Sequence, residues 1–291
     1  MTATRLFVLG ARGLLGGAIA QRATAGGVLA RATSHAELAV EDTARVVDAV
    51  RESGASHVIV CAALPHVEGC ERDPIATRRV NVDAVARLVE SKCASVVAFS
   101  TEYVFDGALD RPYREDDATG PVNEYGRQKL DLERAVLHAS SSSSSGANFV
   151  ARVSGLYGPE LARKNAVLSL WDRAARGEST KVANDQLITP TFTPSLASLV
   201  IEACAKNTSG ILHLAGPEVL ARDRFARLAL EARGFDPILV ESVPTSALGL
   251  LARRPRAGLD VSRAQAQLTS TFTTVRDGLA QLAAAERKGG L

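Results

Sequence analysis

The sequence predicts an α/β protein built on a parallel sheet with helices on both faces, and three observations carry that prediction. Short β-branched runs alternate with longer helical patterns through the first half of the chain. The runs are mainly apolar rather than alternating, as suits strands covered on both sides. Glycines at positions 10, 13 and 16 stand where the first such run meets the first helix.

Taken in order, "RLFVLG" is the first strand and "LLGGAIAQRATA" the helix after it. "GVLARATS" is the second strand, and the Ala, Val and charge spacing of residues 42–53 suits a helix. "HVIVCAA" is a buried strand, followed by an unbroken helix over "DPIATRRVNVDAVARLVESK", with Pro74 well placed at its start. "SVVAFST" is the next strand, "EYGRQKLDLERAVLHA" the next helix, and "NFVARVSGLYG" closes the alternation. The serine-rich stretch Ser140–Gly146 has nothing to bury and reads as a solvated loop. Beyond residue 157 the pattern loosens into a helix over "NAVLSLWDRAARGE", an extended "DQLITPTFTPS" and a helix over 222–233. The expectation is a Rossmann-type doubly wound sheet in residues 1–157. Residues 158–291 then form mainly a small substrate-binding lobe, with about 187–216 returning to the first domain.

Composition narrows the function classes. With 34 Lys plus Arg against 32 Asp plus Glu, the formal charge of +2 gives no electrostatic case for nucleic acid or an anionic membrane. The four cysteines and five histidines fall at no metal-ligand spacing, so no metal is expected and the thiols read as reduced. No Gly-x-Ser-x-Gly stretch supports hydrolysis. The start lacks a signal peptide's apolar region, and no later stretch is long and apolar enough to span a membrane; the cytoplasm is the expected compartment.

Gly10, Gly13 and Gly16 give G-x-x-G-x-x-G at a strand-to-helix junction. Glycine permits the tight turn, lets the backbone approach a pyrophosphate and leaves the N–H groups of the helix start aimed at the phosphates. The second strand ends "ARATSH", with no acid to take a ribose hydroxyl. Arg12, Arg31, Ser34 and His35 offer donors for a 2′-phosphate instead, which favours NADP(H) while leaving NAD(H) open. In "YGRQK", Tyr125 and Lys129 are four apart on a helix and share a face. An ammonium there favours the phenolate, making Tyr125 a candidate proton donor to a ketone. Ser100 and Thr101 end a predicted parallel strand, at the edge where open α/β sheets bind ligands; a turn or helix-capping role is the alternative.

These features, with "CAALPHVEGCE", "NVDAV", "STEYVFDG", "PYREDD", "NEYGRQKL", "DQLITPTF" and "RRPRAGLD" in that order, resemble the extended short-chain dehydrogenase/reductase family. Within it they resemble the dTDP-4-dehydrorhamnose reductase branch, over nearly the whole chain. The resemblance implies a catalytic set of Thr101, Tyr125 and Lys129, and hydride transfer from NAD(P)H to a keto group on a nucleotide-linked deoxysugar. It implies cofactor contacts from Leu14, Leu15, Cys61, Ala62, Ala63 and Asn81 beside those above. Substrate contacts fall to Glu102, Tyr103, Gly155, the loop residue His66, and Arg254, whose guanidinium suits a diphosphate or is simply a surface group. Three positions depart from the branch: Glu102 stands where it usually carries Asp, Ala39 where an Asp commonly contacts the adenine side, and Gly155 where a tryptophan tends to line the substrate site.

The chain also resembles the regulatory β subunit of methionine adenosyltransferase. That alternative implies a nucleotide-binding protein whose product is a protein interface; otherwise a homodimer is the partner to expect. A sugar-nucleotide epimerase or dehydratase, sharing the Tyr-Lys pair, ranks third. Trp171 bears on the choice only if it lines the pocket.

Overall fold

Strand β1 (Leu6–Leu9) pairs in parallel with β2 (Leu29–Thr33) on one side and β3 (His57–Val60) on the other. From β3 the sheet continues through β4 (Ser95–Thr101) and β5 (Phe149–Val153) to an edge strand, Gly210–His213, every pairing parallel. The order across the six strands is therefore β2-β1-β3-β4-β5-edge. The chain steps outward from β1 to β2, returns across the sheet to β3, and then advances in the opposite direction. A crevice opens where the direction reverses, at the carboxyl ends of β1 and β3. The computed structural model describes residues 4–140, 148–252 and 255–287. The serine-loop reading falls, beyond Ser140, outside the described residues, as does Arg254.

Successive β1 side chains serve opposite faces, as strand geometry requires. Leu6 and Val8 pack with Leu15 and Ile19 of α1 (Leu14–Ala25) and with Leu196 and Val200 of a later helix, Thr193–Ala205. Phe7 and Leu9 pack with Val46 and Val50 of α2 (Thr43–Ser53), and with Leu88 and Leu132. All four β1 side chains are wholly buried, each Leu worth about 1.5–3 kcal/mol by transfer from water.

The stretch after β3 departs from expectation. Its strand ends at Val60, and residues 61–66 run as a loop into α3 (Val67–Arg72). The single helix expected over 73–92 is three pieces: α4 (Pro74–Arg78), a π-helical turn over Arg79–Asp83, and α5 (Ala84–Glu90). Asp73 caps α4 through the Ala76 amide at 2.9 Å, with Pro74 in the first turn. Helix α6 (Glu124–Ser140) follows a long connection after β4.

A separate apolar cluster gathers α7 (Ala166–Ala174), Arg222–Arg233 and Val275–Arg287 around Trp171, Phe225 and Leu279. Strand Thr180–Ala183 pairs in parallel with Val240–Val243 beside it. Helix Thr193–Ala205, by contrast, packs on α1, and the edge strand that follows it joins the main sheet. Among the described residues, no helix is long and apolar enough to cross a membrane.

Candidate active site

A cavity of about 930 Å³ lies over the carboxyl ends of β1, β3, β4 and β5. Its first wall is the glycine loop. Gly10 has φ +83°, and a Cβ there would lie 2.8 Å from the Ala62 nitrogen; a Cβ on Gly16 would lie 2.2 Å from the Gly10 carbonyl oxygen. Both glycines are demanded by the close approach of β1, β3 and α1. Gly13 differs, since a Cβ on it meets nothing nearer than 3.4 Å and the residue borders the cavity. It is also the N-cap of α1, with no side chain bonded to the first turn, and Leu14, Leu15 and Gly16 line the cavity after it. An uncapped helix start opening on a cleft suits an anionic group such as a pyrophosphate.

The second wall comes from β4 and α6. The Thr101 hydroxyl donates to Glu102 Oε2 at 2.8 Å, and the Tyr103 amide donates back to Thr101 Oγ1 at 3.3 Å. Tyr125, in the first turn of α6, lines the cavity and meets Tyr103 edge-on with centroids 6.0 Å apart. Burial and the neighbouring Glu102 push its phenol well above the usual tyrosine range, against a smaller lowering from Thr101. Lys129, only 5% exposed, donates to the Phe99 carbonyl at 2.9 Å and lies 5.9 Å from the Tyr125 ring centre. Burial brings its ammonium down to about 8. The sequence pattern suggests a phenol lowered by its lysine; in the structure burial and Glu102 dominate instead, and Tyr125 keeps its proton. Glu102 is 4% exposed; burial raises its carboxyl, partly offset by Arg222.

The remaining expected residues divide. Cys61, Ala63 and His66 border the cavity, and His66 Nδ1 also accepts from the Gly69 amide, capping α3. Ala62 instead backs Gly10. Ser100 borders the cavity, but its hydroxyl donates to Glu133 at 2.5 Å, within a buried pair that Glu133 makes with Arg152. Asn81, in the π-helical turn, lies behind the cavity wall. It accepts from the Leu64 amide at 2.8 Å and donates to the Leu64 carbonyl and to Gln128, pinning the 61–66 loop to α6. Arg31 lies within β2 rather than past it, Ser34 directly follows the strand and Arg12 is in the glycine loop; none of the three lines the cavity that holds Tyr125. Gly155 has φ +55°, and a Cβ there would meet Pro190 at 3.3 Å. Trp171 is a core residue, 2% exposed, its indole N–H bonded to the Ala229 carbonyl, so it decides nothing about catalysis.

The RmlD substrate binding domain family matches residues 4–287. The chain belongs to that family. A dTDP-4-dehydrorhamnose reductase from Mycolicibacterium smegmatis is 34% identical over 94% of this chain and 83% of its own length. Methionine adenosyltransferase 2 subunit beta from Pongo abelii is 32% identical over 77% of this chain and 68% of its own. The crystal structure of a dTDP-4-dehydrorhamnose reductase from Bacillus anthracis, in complex with NADP, superposes with a TM-score of 0.87 over 97% of this chain and 99% of that one, at 22% identity. At that identity the likeness speaks for the fold.

The far wall of this RmlD-family cavity was not read from the sequence. Lys164, Lys181, Gln186 and Arg222 line it, with Glu160. Arg222 opens helix Arg222–Arg233, where its charge opposes the helix dipole. A cation in that unfavourable place was the signal available in the sequence. Its Nη2 donates to the Tyr103 hydroxyl at 3.2 Å, and its Nε is buried with no partner among the described residues. Beside Gly155 a second, mainly apolar cavity of about 420 Å³ shares Arg222 with the first and is lined by Val167, Leu170, Ile188 and Phe225.

Proposed function

We propose that the chain is an NAD(P)H-dependent reductase acting on a keto group of a nucleotide-linked deoxysugar. The observation that carries this reading is the meeting of Thr101, Tyr125 and Lys129 at one strand-end cavity, opposite an uncapped glycine-loop helix start. The relationship to a dTDP-4-dehydrorhamnose reductase supports it. When bound, the reduced nicotinamide supplies the hydride. Tyr125, held protonated by burial, gives its proton to the carbonyl oxygen. Thr101, its hydroxyl donated to Glu102 and its oxygen accepting from the Tyr103 amide, is fixed at the end of β4 and orients the carbonyl. Lys129 stabilises the phenolate that Tyr125 becomes. NADP(H) is the favoured cofactor, with Arg12, Arg31 and Ser34 on the adenosine side. Lys164, Lys181 and Arg222 put positive charge on the lobe side of the cavity, matching a sugar-nucleotide diphosphate. In this reading, residues 1–157 bind the nucleotide cofactor and most of 158–291 serves the substrate, and the reaction takes place in the cytoplasm.

The test is loss of reduced-nicotinamide absorbance on adding a panel of 4-keto sugar nucleotides. Turnover is expected with at least one of them, and Tyr125→Phe should lower kcat by roughly 10²–10⁴-fold while keeping NADPH binding. Parent-like turnover in that variant would remove Tyr125 from its role. The relationship to a regulatory β subunit favours a second reading, nucleotide binding without chemistry. Tight NADPH binding with no oxidation across the whole panel would replace the first reading with the second.

A further inference from the structure

Just past β2, away from the reacting groups, the chain turns back on itself. Ser34 is buried, and both its backbone N–H and its hydroxyl donate to one carboxylate oxygen of Glu37, each at 2.7 Å. The Leu38 amide bonds the Ser34 carbonyl at 3.0 Å and closes the turn. Glu37 itself is exposed, and the guanidinium groups of Arg12 and Arg31 both act to lower its carboxyl. Two short hydrogen-bond donors thus meet one carboxylate oxygen, in the field of two cations. That is the donor set a phosphate monoester calls for. The sequence has no acid at the end of the second strand; the turn brings one back from three residues further on.

We propose that Glu37 is a resident anion in the seat for the adenosine 2′-phosphate, and that it sets how strongly this protein prefers NADPH over NADH. The proposal rests on the reading of the glycine loop and the end of β2 as the nucleotide site. To seat a 2′-phosphate, the Glu37 carboxylate must leave Ser34, or stay and face a second anion. Either event weakens NADPH binding. A 2′-hydroxyl meets no such conflict, because it can donate to the carboxylate where it stands. Selectivity is a difference of two affinities, so an internal competitor for only one ligand shifts it directly. Glu37 lies on an exposed turn, so its departure disturbs no core packing.

The experiment is calorimetric titration of the full chain with NADPH and with NADH, for the parent, Glu37→Gln, Glu37→Ala and the double variant Arg12→Ala/Arg31→Ala, each checked for an unchanged Tm. Both Glu37 variants should bind NADPH about 10-fold more tightly, with NADH affinity unchanged or weakened. The double arginine variant should lose NADPH affinity by at least that factor. If the Glu37 variants keep the parent ratio of affinities while the arginine variant loses NADPH, the seat stands and the role of Glu37 is overturned. If the arginine variant also keeps the parent ratio, the seat is elsewhere and the proposal falls with it. Absence of binding by either nucleotide to every form would overturn the cofactor reading itself.

Discussion

Gly16 and Gly13 look interchangeable in a spaced motif, yet the structure asks different things of them. A Cβ at residue 16 would lie 2.2 Å from backbone, so Gly16→Ala must push α1 away from β1. It should cost about 1–3 kcal/mol, read as a lower Tm. At residue 13 the nearest atom would be 3.4 Å away, so Gly13→Ala should keep the parent Tm and weaken nucleotide binding by filling the cleft side. Equal loss of stability in both variants would contradict this division. Spacing identifies the motif but carries no distances, which is why the sequence alone did not separate the two roles. Tyr125 and Lys129 teach the same lesson. Their separation along a helix makes them neighbours, whereas desolvation, which raises one and lowers the other, depends on what covers them. Lys129 loses its proton near pH 8 in the free protein, so the charge that supports the Tyr125 phenolate is present below that pH and lost above it. The kcat/KM for reduction should therefore fall as pH rises past about 8. Lys129→Arg, charged throughout, should move that limb upward. A limb left in place would belong to another group.

At the scale of elements, the helical turn around Asn81 was hidden for a simple reason. The apolar spacing on either side of Arg79–Asp83 fits an ordinary helix, and one extra residue in a single turn leaves no mark on composition. Yet that turn is what brings Asn81 to Leu64. π-helical turns gather at functional sites, and here the effect is to fix the loop that forms one side of the cavity. Asn81→Ala would leave the buried Gln128 Oε1 without its partner and release the Leu64 backbone, at a cost of about 1–3 kcal/mol. Urea unfolding measures that cost, and the KM for NADPH should rise along with it because the loop is released. Unchanged stability would mean that water replaces the amide and that the turn has another purpose. The strands, by contrast, were legible because each is mainly apolar, Arg31 and Arg152 notwithstanding, and each is short beside the longer helical patterns between them. The two-residue strands Leu156–Tyr157, Leu187–Ile188 and Thr191–Phe192 are too short to carry any period, and the sequence pattern loosens where they begin.

Across the whole molecule, the cavity joins two bodies of packing. The sheet buries Leu6 to Leu9 and their helices, while Trp171, Phe225 and Leu279 anchor a separate cluster beyond it. Arg222 spans the two, starting a helix of the second cluster and bonding Tyr103 at the end of β4. This contact also bears on chemistry, because Arg222 partly offsets the rise that burial imposes on the carboxyl of Glu102, which accepts the Thr101 hydrogen bond. Arg222→Gln should therefore damage the substrate side without touching the nucleotide side. Losing one charge-assisted bond at a buried site corresponds to roughly a 10- to 100-fold rise in substrate KM, with the NADPH Kd unchanged. Arg222→Lys keeps the charge but not the fork, so it should recover part of that loss. Steady-state kinetics against the sugar nucleotide, paired with NADPH titration, separates the cases. If both ligands weaken together, Arg222 holds the two bodies in register rather than meeting the substrate. If only the substrate weakens, the cation at an unfavourable helix start is explained by the anion that binds opposite it.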